Sequence, residues 1–155
     1  MLSESDDAAR SGRTKPKILI TSRIDPGPKA LVIAIVLLVL VVSALLPWTS
    51  DSAGWEVLTG QSDPSEDVGL LPRLFAINCT IIGLACGALA LMTRLWLLAF
   101  VSGVAGVVVA FEGMVAIWSR NTGGHAGPGI GLSLAVICMV VLAVQWLRVL
   151  WTRED

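Results

Sequence analysis

The side chains able to do chemistry are few and widely spaced. One acid, Glu112, stands inside an otherwise uncharged apolar stretch, and Arg73 and Asn78 stand near the start of another. A carboxylate in apolar surroundings can relay protons or hold an ion, but hydrogen-bonded to a neighbouring helix it sets register instead. Depth along the helices predicts that Arg73, Asn78 and Glu112 meet in one polar cluster. The structural role is preferred, because a transport path needs several such groups and this chain offers one acid. Ser50, Asp51 and Ser52 adjoin one another, but the single histidine, His125, belongs to a different loop, so no Ser-His-Asp triad is expected. Cys79, Cys86 and Cys138 all fall in apolar blocks and read as small packing residues; a metal would need more ligands. The expectation is therefore a protein that is not an enzyme, with no catalytic residue, no metal and no cofactor.

The elements that must position these groups follow from hydropathy. The chain has 155 residues, 55% hydrophobic and 15% charged, with mean hydropathy +0.79. Globular domains average about 25% charged residues. Apolar blocks run over about 30–46, 74–92, 95–118 and 130–151. At ~1.5 Å per residue each can reach across a hydrocarbon core of roughly 30 Å, the first only just. The predicted fold is all-α, a four-transmembrane-helix bundle over 29–151 with a disordered N-terminal tail. That tail, 1–28, is polar, proline-bearing and cytoplasmic in this reading. Pro47 ends the first helix, and 47–72 forms an extracytoplasmic acidic loop without lysine or arginine. Trp48, Trp55 and Glu56 are its candidate contact residues, the last two within a short amphipathic piece expected to be one strand or one helical turn.

Orientation comes from the basic residues. All of the eleven except Arg73 and Arg120 fall on one side of the predicted spans, which places both termini in the cytoplasm of a multi-pass inner-membrane protein. The expected partners are the lipid bilayer and either another membrane protein or a second copy. Nucleic acid is not expected, since no basic stripe interleaved with aromatics is visible and tyrosine is absent.

Helices in such a setting associate through small residues. Gly83 and Gly87 lie on a small-residue face of the second helix, Gly106 and Gly113 on the third, and Gly131 on the fourth. These three helices are expected to form the tight core, with the first packed outside it. Trp96, Trp118, Trp146 and Trp151 are placed at the boundaries as interfacial aromatics.

Several short motifs add a resemblance. Pro47-Trp48 closes the first helix, Ser52-Ala53-Gly54-Trp55 and Gly60 follow, Asp67-Val68-Gly69-Leu70 opens the second helix, and Gly129-Ile130-Gly131-Leu132 opens the fourth. In this the chain resembles a loose group of small four-helix membrane proteins of actinobacteria, uncharacterised in activity. The resemblance implies a fold and topology over about 30–151 and no reaction. The function expected is that of an accessory, assembly or interaction subunit of a membrane complex. The alternative is a small transporter or channel-like homo-oligomer using Glu112, and a sensor reading its surroundings through the loop is a third.

Overall fold

A computed structural model describes residues 23–124 and 126–152. Among them the fold is all-α, with two isolated bridges and no strand. Helix α1 spans Lys29–Leu45 and is apolar all round. It stops because Leu46, the residue before Pro47, is forced into extended backbone. Helix α2, Gly54–Thr59, is the short piece inside the loop; the Glu56 carboxylate accepts from the Ala53 N–H at 2.7 Å, and Gly60, at φ +74°, ends it.

Helix α3 runs Leu70–Thr93, four residues earlier than hydropathy suggested. Pro72 is tolerated there because it sits in the first turn, where its missing N–H has no partner to lose. The middle of α3, Cys79–Cys86, is π-helical. A left-handed Arg94, at φ +54°, turns the chain into α4, Trp96–Thr122. Helix α5, Ile130–Trp151, is the most enclosed of the long helices. Three helices, α3, α4 and α5, are long and apolar enough to cross a membrane by length and composition, and α1 is apolar but shorter.

The packing order differs from the expected one. Helices α4 and α5 form the largest contact, and α1 lies along α5 rather than outside a three-helix core. The cause is a fit of large into small: Leu40 and Met139 converge on Gly83, and Leu37 reaches Gly87. Ile33, Leu37 and Leu40 are buried in consequence. Ser43 is fully buried too, its hydroxyl donating to the Leu40 carbonyl at 2.6 Å, so this hydroxyl is not stranded. The chain before α1 is docked: the Ile24 N–H donates to the Arg94 carbonyl at 2.9 Å, and Ile24 is buried. The expected flexibility of the tail before Arg23 concerns residues outside the described ones.

Candidate functional site

The short motifs of the sequence converge on one tryptophan. Trp48 follows α1 and is 3% exposed, so this candidate contact residue belongs to the core and not to a free loop or an interface. Its indole N–H donates to the Ser43 carbonyl at 2.8 Å, and its ring packs against Phe75 with centroids 5.6 Å apart. A Cβ on Gly54 would run into the indole, and one on Gly129 would meet the Pro47 carbonyl. Glycine there lets backbone approach backbone: the N–H groups of Gly129 and Gly131 donate to the Trp48 and Pro47 carbonyls at 2.8 and 2.9 Å. The motifs thus form a clasp joining the end of α1, the loop and the start of α5. Of the other two loop candidates, Glu56 is engaged in capping α2, and Trp55 is exposed.

Beside the clasp lies a polar lock that sequence spacing did not reveal. Arg120, 3% exposed, donates through its guanidinium to the Val68 carbonyl at 3.2 Å, the Asp67 carbonyl at 3.5 Å and the Ala126 carbonyl at 3.0 Å. Its Nη2 lies 3.9 Å from the Glu66 carboxylate. That carboxylate also accepts from the Ser50 hydroxyl at 2.9 Å and the Ser52 hydroxyl at 2.7 Å. Burial alone would push Glu66 up, but the hydroxyls of Ser52, Thr49 and Ser50 and the Asp51 N–H favour the charged form and hold it below its ordinary value. Exposed Asp63 is likewise lowered, by the hydroxyl and backbone N–H of Ser65. The lock explains why α4 continues to Thr122 instead of ending near Trp118: Arg120 ties its last turn to the loop. Its only sequence signal was an arginine opposite a loop without bases, and nothing in the spacing joined residue 66 to residue 120.

The expected triple cluster is a pair. Asn78 donates to the Glu112 carboxylate at 2.9 Å, bridging α3 and α4 at the edge of the π-helical segment. Arg73 points elsewhere, against Gly60, where it lines a cavity of about 270 Å³ with Val57, Asp63 and Glu66. The five packing glycines all face neighbours: besides Gly83 and Gly87, Gly106 meets Ala143, Gly113 meets Val136 and Phe75, and Gly131 meets Trp48. Trp146 is buried with its indole N–H unpartnered, so it is a core residue rather than a boundary marker, whereas Trp118 and Trp151 are exposed. The cysteines are free, Cys79 and Cys138 buried and Cys86 half-buried. Among the described residues no group of three or more His, Cys, Asp or Glu could hold a metal, and His125 lies outside them.

The opposite end of the bundle is basic. Arg23, Lys29, Arg94 and Arg148 come from four separate segments and gather where α1 begins, α3 turns into α4 and α5 ends. Lys29 donates through Nζ to the Arg148 carbonyl at 3.2 Å and the Thr152 hydroxyl at 3.1 Å, capping α5. Asp25 lies 3.9 Å from Arg94 and is the only acid at this end among the described residues.

An all-helical domain with a clasped loop and one basic end is what this sequence builds, and residues 17–155 match the family described as the MiaB C-terminal domain. The chain belongs to that family. It is 40% identical, over 95% of its length, to the tRNA-2-methylthio-N(6)-dimethylallyladenosine synthase of Mycobacterium avium (strain 104). It spans only 22% of that protein, about a fifth of the curated relative's length. No solved structure matches.

These findings correct several expectations together. The likeness to a loose group of actinobacterial membrane proteins of uncharacterised activity gives way to the MiaB C-terminal domain family. An accessory subunit of a membrane complex, or a Glu112-based transporter, gives way to a chain aligned with part of a synthase, and the expectation of a protein that is not an enzyme is corrected with it. The partner expectation, a bilayer with another membrane protein or a second copy and no nucleic acid, is corrected in its exclusion of nucleic acid, because that relative is named for tRNA. The inner-membrane localisation with both termini cytoplasmic is corrected with them, since charge counting alone supported that orientation and the relative's named chemistry is on tRNA. The physical source of the error is that hydropathy and charge placement report the solvent a helix prefers and carry nothing about the longer protein it serves.

Proposed function

We propose that this chain serves the formation of 2-methylthio-N(6)-dimethylallyladenosine in tRNA, as the C-terminal helical module of a synthase of that kind. The observation that carries the reading is the match running through 95% of the chain to a fifth of such a synthase, together with the family match over 17–155. The module's part is to hold and position the synthase relative to its RNA. Its clasp and lock make a fixed scaffold, and among the described residues the end with a surplus of cations is where Arg23 and Lys29 lead into the bundle.

A finer architecture goes with this proposal: a four-helix bundle crossing a bilayer over about 30–46, 74–92, 95–118 and 130–151, with the loop 47–72 beyond one face. Support comes from the three long apolar helices and from outward side chains such as Leu38, Val108, Phe111 and Ile137, each more than half exposed. The test is removal of this chain's coding segment from its host, followed by mass spectrometry of tRNA nucleosides. A several-fold drop in the 2-methylthio nucleoside, with the N(6)-dimethylallyl precursor accumulating, is expected; an unchanged ratio overturns the proposal. Alkaline carbonate extraction of the tagged protein tests the architecture, which release into the supernatant overturns.

A further inference from the structure

The two ends of the bundle differ in what their cations have left to offer. At the loop end Arg120 is engaged by three carbonyls and Glu66, and Arg73 turns over Gly60. At the other end Lys29 is half-buried and donates two of its three N–H groups, to the Arg148 carbonyl and the Thr152 hydroxyl. Its ammonium is thereby pinned across the end of α5 with one donor left over. The Arg148 guanidinium is exposed in the last turn of α5 and forms no ion pair among the described residues. Lys29 and Arg148 both line a recess of about 440 Å³, completed by Trp151 and Thr152. Directly behind this rim, exposed apolar side chains begin on all four apolar helices: Leu31 on α1, Met92 on α3, Leu97 on α4 and Val144 on α5.

From this arrangement we infer that the recess between the start of α1 and the end of α5 is a site for the headgroup of an anionic phospholipid. Lys29 and Arg148 hold its phosphate, Trp151 lies at headgroup level, and the acyl chains rest on the exposed apolar faces of α1 and α5. Cations with apolar side chains directly behind them match the edge of a phospholipid layer, where phosphates lie just outside the hydrocarbon. An anion drawn from solution has no use for that apolar flank. A zwitterionic lipid fits less well, because its ammonium group needs an acid, and Asp25, the one acid at this end among the described residues, already lies 3.9 Å from Arg94. The volume falls within the roughly 300–1,000 Å³ of small-molecule sites. Lys29 opens α1 and Arg148 belongs to the last turn of α5, so one phosphate would join the two helices at the end that the Trp48 clasp does not reach. The inference rests on the bilayer-crossing architecture proposed above, and it adds a class of ligand and the two residues that select it.

The test uses the full chain in a neutral detergent, with phosphatidylglycerol and phosphatidylcholine of identical acyl chains as probes and native mass spectrometry of the bound lipid as readout. Each cation at an anionic lipid surface is worth about fivefold, so phosphatidylglycerol is expected to bind at least tenfold more tightly than phosphatidylcholine. Arg148→Gln is expected to cut that preference about fivefold, and Lys29→Gln by as much. Arg73→Gln, at the other end, should leave it within twofold. Circular dichroism checks that each variant keeps its helices, and Arg148→Gln keeps the main-chain carbonyl that Lys29 uses. Equal binding of the two lipids, or a preference unmoved by both Arg148→Gln and Lys29→Gln, overturns the inference. So does displacement of phosphatidylglycerol by millimolar glycerol phosphate, which would identify a site for a soluble anion instead. Failure of the architecture shows separately, as release into the supernatant on carbonate extraction; a chain that stays with the membrane and shows no lipid preference fails this inference alone.

Discussion

Glycines of one kind have unequal jobs at the residue scale. A Cβ at Gly129 would meet a backbone carbonyl of Pro47, which cannot swing aside, whereas one at Gly106 would rest 3.4 Å from the Ala143 methyl. Gly129→Ala is therefore expected to destabilise by about 1–3 kcal/mol through overpacking. Gly106→Ala is expected to be neutral or to stabilise by up to ~1 kcal/mol, because alanine holds a helix better than glycine. Thermal unfolding of the two variants checks the order, and equal midpoints would contradict the clasp. The GxxxG-like spacing was legible in the sequence, and so was the run Gly129-Ile130-Gly131-Leu132. That the latter grips the Pro47-Trp48 backbone was not, because the partner is more than eighty residues away and hydrogen-bonds through main chain, which leaves no trace in side-chain identity.

At the scale of elements, α3 shows how a helix can depart from its own period. Its π-helical middle, Cys79–Cys86, takes more residues per turn than 3.6, so buried positions recur at Cys79, Gly83 and Gly87. Asn78, at its edge, meets Glu112 of α4. Glu112→Ala leaves the Asn78 amide without this acceptor and is expected to cost about 1–3 kcal/mol. Glu112→Gln keeps an accepting oxygen and is expected to cost less than half as much in the same unfolding measurement. Equal losses would mean that charge, not the hydrogen bond, joins the helices. Both residues were picked out in the sequence because polar groups are rare in apolar spans. Arg73 does not join them, since depth along a helix does not determine which way a long side chain turns, and Arg73 turns toward the loop.

For the molecule as a whole, the Arg120–Glu66 lock decides whether the loop is part of the fold. Arg120→Ala leaves the Glu66 carboxylate part-buried without its cation and is expected to cost up to about 3–5 kcal/mol, the range for breaking a buried pair. Limited proteolysis should then cut within 60–69 before the helices unfold. Glu66 also sets a pH dependence. Its folded value is lowered from 4.5, so its contribution is fully present above that pH and is lost as pH falls through the folded value. Thermal midpoints are expected to fall on acidification below pH 4.5 in the parent, and less steeply in Glu66→Gln. Equal slopes would show that other carboxylates carry the effect.

Alone, the sequence determined that this protein is helical, roughly where its helices run, and which residues are too small or too polar to be incidental. Those properties are local: a run of apolar side chains, a proline after a helix, a glycine every fourth residue. Tertiary structure alone decided what the scattered residues do together. It brought Trp48 inside, paired Arg120 with Glu66, turned Arg73 away from Glu112, and gathered Arg23, Lys29, Arg94 and Arg148 at one end. Each of these joins segments with no fixed spacing in the chain. Such contacts depend on which helix lies beside which, and here that was settled by large side chains of α1 and α5 entering the glycine gaps of α3.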